Sequence, residues 1–222
     1  MSAYQGLMAF QRDTEALGQV AGRLGWDQET FMPEGATPQR ADEHAAMAII
    51  MHARRIDPRV GEWLAKAEAQ DDVAAANLRH IKRSFERTAK VPAQLAAELA
   101  RTTSLAHRTW AESRANEDVG SFLPILQKVV DLRKEEANAI AGNADPYDAL
   151  LDDYEPGATS ASIGAMFANL RPRLVALRAA ILDRPAPAAL SGEFDETTQL
   201  AFSTKLAQAF GYNLNNVRID KA

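Results

Sequence analysis

Along almost the whole of this 222-residue chain, apolar residues recur at steps of three and four, and no segment sustains apolar–polar alternation with β-branched enrichment. Such spacing returns side chains to one face of a helix, whereas a half-buried strand needs a period of two, so the fold is expected to be all-α. Tyr4, Leu7, Phe10, Leu17, Val20 and Leu24 trace the inner face of a first helix, with Gly22 and Gly25 expected to loosen its end. Val73, Asn77, Ile81, Phe85 and Thr88 form a second stripe, and Leu95, Leu99, Ala106 and Trp110 a third. Phe122, Ile125, Val129 and Leu132 mark another helix, and Ile163, Phe167, Leu170, Leu174, Leu177 and Ile181 are expected to be the core face of a long later one.

Local chemistry sets the expected boundaries. Thr37-Pro38 and Asp57-Pro58 each look like an N-cap followed by proline at the first helical position. Asp71 or Asp72 and then Thr159 or Ser160 offer further caps, Pro92 opens a helix, and another follows Asp118. Gly142-Asn143 and Gly211 are stop signals, Tyr147 to Leu151 is a short turn, and Pro172 should kink the helix that contains it. The proline-rich run from Arg184 to Phe194 is the clear linker. The expected division is therefore a helical domain over 1–183, a linker over 184–194, and a terminal helix within 195–222. No fixed repeat argues for a solenoid.

Composition narrows the function classes. Hydrophobic residues make up 46% of the chain, enough to build a core, and the net charge of −5 gives no general attraction to phosphate backbones. With no basic stripe, nucleic acid is not expected as a partner. No stretch approaches the ~20 apolar residues of a membrane span, so no membrane partner is expected and the chain reads as cytoplasmic. Zero cysteines exclude disulfides, thiolate metal sites and cysteine nucleophiles.

No complete catalytic constellation emerges from the residues. A zincin helix needs two histidines four residues apart, so that one turn points both imidazoles at the same ion. His44, His52, His80 and His107 contain no such pair, and none has a glutamate three residues before it. His44 and His52 share a nominal helical face but stand about 12 Å apart along it at the 1.5 Å rise per residue. Carboxylates gather at Asp27 with Glu29, at Asp42 with Glu43, and between Asp145 and Glu155. The last group fails as a calcium loop, because Asp148 stands where the turn glycine belongs and Tyr154 where the bidentate glutamate belongs. No phosphate loop or nucleophile elbow is present.

Two segments carry more specific information. Trp26-Asp27-Gln28-Glu29-Thr30-Phe31-Met32-Pro33-Glu34-Gly35, closed by Arg40-Ala41, reads as an elaborate joint between two helical patterns. It resembles the W-D-x-x-T-x-M-P-x-G…R-A signature near the amino end of the thermostable, Taq-type zinc metallocarboxypeptidases. Pro146-Tyr147-Asp148-Ala149-Leu150-Leu151-Asp152-Asp153-Tyr154-Glu155-Pro156-Gly157 reads as a helical turn broken by Pro-Gly, with its tyrosines and leucines available to plug a core and its acids facing outward. It is similar to the same family's Y-D-x-L-L-D-x-Y-E-P-G, in the right order and at the corresponding distance. Ala158-Thr159 departs mildly, standing where methionine-threonine is usual. Phe210-Gly211-Tyr212 and then Arg218 to Ala222 resemble the family segment that leads into its H-P-F motif.

The resemblance implies an all-α, zincin-like helical metallopeptidase of which this chain is the amino-terminal half. The intact family is usually a homodimer that removes single residues from peptide carboxyl termini. Zinc is its cofactor, and its H-E-x-x-H helix, third metal ligand and carboxylate-binding residues all fall after Ala222. No catalytic or metal-binding residue can therefore be carried onto this chain, which is expected to bind no metal and to be inactive alone. Trp26, Asp27, Thr30, Met32 and Arg40 are expected as groove or support residues, as are Tyr147, Asp148 and Glu155. The alternative is a self-standing helical interaction module without catalysis.

Overall fold

The computed structural model describes residues 1–189 and 191–220. Leu190 of the expected linker and Lys221-Ala222 of the tail lie outside the described residues. Among the described residues there are nine α-helices and no strand: α1 Ala3–Thr30, α2 Thr37–Arg55, α3 Pro58–Lys66, α4 Asp72–Thr88, α5 Ala93–Ala115, α6 Val119–Ala141, α7 Pro146–Leu151, α8 Ser160–Leu182 and α9 Glu196–Ala209. One 3₁₀ turn, Glu34–Ala36, leads into α2. None of the helices is long and apolar enough to cross a membrane.

Most of the boundaries follow from caps. The carboxylates of Asp57, Asp71, Asp118, Asp145 and Asp195 accept backbone N–H groups at the starts of α3, α4, α6, α7 and α9, satisfying donors that have no partner inside a helix. Ser2 and Gln5 form a reciprocal capping box at the start of α1. α6 stops where Gly142 takes a φ of +61°, and Gly211, at +91°, follows α9.

Two boundaries depart from expectation. α1 does not loosen at Gly22 and Gly25 but continues through Trp26 to Thr30, so half of the supposed joint is helix. Thr37 does not cap α2: its backbone is helical, and its hydroxyl donates to the Glu34 carbonyl at 2.9 Å. The 3₁₀ turn already aligns the chain, and Pro38 sits in the first turn, where its missing N–H costs no hydrogen bond.

By contacts, the chain divides into one compact unit over Met1–Ser160 and a second from Ala161 onward. The first unit holds two cores. Leu7, Phe10 and Val60 are buried with Trp63, Leu64 and Phe85 packed against them, joining α1, α3 and α4. Trp63 approaches so closely that a Cβ at Gly6 would stand 3.2 Å from its ring nitrogen. Val91, Leu95, Leu99 and Ile140 form the other core, against Leu132 of α6 and Ala149 of α7. α2 packs on α1 and α5, and α5 on α6. Val20 and Val73, expected to face inward, are exposed, as is Trp110.

The second unit contains most of α8 and all of α9, and none of its described residues is buried. The expected core face of α8 is open: Phe167 is 57% exposed and Leu174 52%, with Leu170, Leu177 and Ile181 also exposed. α8 runs through Pro172 without interruption. The described residues of 184–194 carry no regular secondary structure, and the division by contacts falls at the start of α8, before the prolines.

The contrast between covered and open faces is measurable. Leu7→Ala, which empties a site with 0% exposure, should cost about 2–5 kcal/mol in urea unfolding. Leu174→Ala should stay within about 0.5 kcal/mol of the parent chain.

Candidate functional site

Arg40 organises the joint between α1 and α2. Only 9% exposed, it donates through Nη2 to Asp27 Oδ2 at 2.6 Å, through Nε to Glu43 Oε2 at 2.8 Å, and through Nη1 to the Leu24 carbonyl. A buried guanidinium needs acceptors around its whole fork, and here two carboxylates and a helical carbonyl provide them. The Asp27 carboxylate raises the pKa of Arg40, and Arg40 in turn lowers that of Glu43. Thr30 Oγ1 donates to the Trp26 carbonyl at 2.8 Å, and Trp26 meets the Phe31 ring edge-on at 5.4 Å. Met32 lines a small pocket with Gln28, Thr37, Ser104 and Arg108.

The second segment is an ion-paired loop. Asp152 accepts from Arg83 Nε at 3.0 Å and Nη2 at 2.6 Å, from Arg87 Nη1 at 3.3 Å, and from the Gly157 N–H at 2.8 Å. Asp153 lies 2.8 Å from Arg87. The expected polarity of this segment holds for Leu150 and Leu151, which are half-buried, and for Asp153 and Glu155, which are exposed, but Asp152 turns toward α4 and Tyr147 and Tyr154 stand exposed, the latter at 83%. Two arginines on α4 provide partners that the carboxylate can keep. The Gly157 N–H and then the Arg83 guanidinium lower the pKa of Asp152. Asp148 Oδ1 accepts the Ser160 N–H at 2.7 Å at the start of α8, and Glu155 is exposed.

Within the first unit, α1, α2, α4, α5 and α6 enclose a cleft of about 760 Å³, in the range of small-molecule sites. Leu99, Val91 and Ile140 contribute apolar lining. Toward α1 and α5, His107 Nε2 lies 2.8 Å from Glu29 Oε2, and Ser104 Oγ donates to Gln28 Oε1 at 2.7 Å. Arg83 and Arg87 line it with Asp153, as does Arg133, which pairs with Glu136 at 2.7 Å. His44 and His52 also line it. Burial, followed by the nearby Arg40 charge, lowers the pKa of His44 and favours its neutral form. Four arginines, counting Arg55, stand against Glu29, Glu136 and Asp153, so the cleft offers donors and acceptors in nearly balanced charge.

None of the eight residues singled out in the two motifs lines this cleft. Asp27 and Arg40 meet each other, Asp148 holds the start of α8, and Trp26, Tyr147 and Glu155 are exposed. The cleft as a unit was not legible because five helices distant in sequence bring its residues together. The sequence signals were the shared helical face of His44 and His52 and the carboxylate clusters that contain Glu29 and Asp153.

The described residues do not fit a metal: no group of three or more His, Asp or Glu side chains could hold an ion. His52 Nε2 lies 2.6 Å from the Val91 carbonyl, to which it donates, and His107 faces Glu29, while His80 lies outside the cleft.

Two outcomes follow from this geometry. Arg40→Ala should destabilise the chain by about 1–3 kcal/mol in urea unfolding, because it strips partners from Asp27, Glu43 and the Leu24 carbonyl together. The pKa of Asp152 is lowered from 3.8, so its contribution to stability is present above that value and is lost as the pH falls through the lowered one. Asp152→Asn should lower the thermal midpoint at pH 7 and flatten its fall below about pH 4.

Comparison with known proteins bears on this arrangement. The thermostable carboxypeptidase 1 of Thermus thermophilus is 38% identical over 237 residues, covering 99% of this chain and 46% of that protein. The structure of the Pyrococcus furiosus carboxypeptidase matches with a TM-score of 0.77 at 28% identity, over 96% of this chain and 44% of that one. The M32 carboxypeptidase of Deinococcus radiodurans matches with a TM-score of 0.72 at 30% identity, over 96% and 44%. The chain thus spans under half the length of these relatives. With residues 6–222 matching the family pattern in full sequence order around the Arg40 joint and the Asp152 loop, this chain belongs to the carboxypeptidase Taq (M32) metallopeptidase family.

Proposed function

We propose that this chain serves as the amino-terminal part of a zinc-dependent metallocarboxypeptidase that removes carboxyl-terminal residues from peptides, and that it is inactive by itself. The observation that carries this reading is the family match over residues 6–222 by a chain that spans under half the length of its relatives. In this reading the metal ligands come from outside this chain, whose residues contribute wall and support. The cleft of the first unit contributes to the peptide-binding surface, with Glu29, His107 and the arginines of α4 and α6 facing the ligand. Asp27, Thr30, Met32 and Arg40 hold the α1–α2 joint behind it, together with Trp26. Tyr147 and Asp148 belong to α7, and Glu155 to the loop that leads from it into α8. The homodimeric state of the parent rests on the resemblance, and a cytoplasmic location on a sequence in which no stretch approaches the ~20 apolar residues of a membrane span.

The test is complementation. The chain is co-expressed with the part of the Thermus thermophilus relative beyond the matched region, and release of the terminal residue from a blocked dipeptide is measured. Activity should need both parts, disappear with a chelator and return with zinc. A co-purifying pair that stays inert with zinc would sink the carboxypeptidase reading and favour the interaction module.

A further inference from the structure

We propose that the apolar stripe of α8 is the docking face for the remaining part of the family fold, and that its complement is an apolar helix face edged with carboxylates. This rests on the preceding reading of the chain as part of a longer enzyme. Ile163, Phe167, Leu170, Leu174, Leu177 and Ile181 fall within a stripe about 100° wide at the helical period. All but Ile163, which is half-buried, are exposed, and nothing in the second unit covers them. The stripe runs along a 23-residue helix, and large contiguous apolar surface of this kind marks an interaction face.

Charge narrows the identity of the partner. By the same helical period, Arg171 and Arg178 flank one side of the stripe and Arg173 the other, and α8 carries no acidic residue. The three arginines are exposed and have no ion-pair partner among the described residues. A second copy docked by twofold symmetry would bring arginine-flanked faces together, which is unfavourable. A complement edged with Asp or Glu would pair the guanidiniums at the rim of the interface. Such a complement has a source: the same backbone path occurs in the Pyrococcus furiosus structure within a chain more than twice as long, at a TM-score of 0.77.

The test co-expresses the chain with a tagged carboxyl-terminal part of the Thermus thermophilus relative and reads the soluble tagged protein and its partner. A soluble 1:1 complex is expected. Leu170→Glu or Leu174→Glu should weaken it by about 100-fold or more. Reversing Arg171, Arg173 and Arg178 to Glu should weaken it about tenfold and reduce its salt dependence. Val73→Glu, on exposed surface of the first unit, should leave it unchanged. Four outcomes would overturn the proposal: a tagged part that stays insoluble or elutes without the chain, a complex indifferent to the α8 variants, self-association abolished by those variants without capture, or a lower urea midpoint for Leu174→Glu in the chain alone, which would place the cover within this chain. A complex that depends on α8 yet releases no residue from the dipeptide would leave the docking face standing while the catalytic reading falls.

Discussion

A guanidinium nine-tenths removed from water cannot be left short of acceptors, and the first unit is arranged around meeting that demand at Arg40. Its acceptors come from the last two turns of α1 and from α2 itself, so satisfying it fixes how the two helices join. The Leu24 carbonyl and the Asp27 carboxylate are in register only if α1 remains helical through this stretch. This explains why Gly22 and Gly25 do not end the helix. The same continuation carries Gln28 and Glu29 toward α5, where they meet Ser104 and His107. One buried charge thereby sets a wall of the cleft.

The ion-paired loop repeats the logic at lower burial. Asp152 and Asp153 engage two arginines one turn apart on α4, and Asp152 also closes the turn through the Gly157 N–H. Gly157 takes a φ of +86°, which a side chain would strain. The loop is tied down by charge and backbone geometry, with little apolar burial, so its tyrosines are free to face outward. Motif residues that resemble a family signature are thus accounted for here by joining and bracing helices. Gln28, Glu29 and Asp153 of the same two segments line the cleft, together with residues of α2, α4, α5 and α6 that belong to neither motif.

The two units show opposite fates for the same kind of helix. Leu7 and Leu174 both lie on apolar helical faces, yet one is fully buried and the other more than half exposed. Helical spacing specifies a face that prefers cover but says nothing of which surface arrives to cover it. In the first unit, α3 and α4 cover α1. For α8 no element of its own unit does so.

The amino-acid sequence by itself determined the all-α class, most helix starts and two stops, because spacing, aspartate caps and positive-φ glycines act over a few neighbouring residues. It also determined the family, through two ordered motifs. Tertiary structure alone decided that Trp26–Thr30 is helix, that Thr37 donates instead of capping, and that Asp152 turns inward while Tyr154 turns out. It also decided that His44, His52, His107 and Glu29 share one cleft. Apart from the Thr37 bond to nearby Glu34, these outcomes depend on partners 13 or more residues away: Arg40 for the end of α1, Arg83 for Asp152, and α5 for Glu29. Local pattern records that a polar group needs a partner, and only packing supplies it.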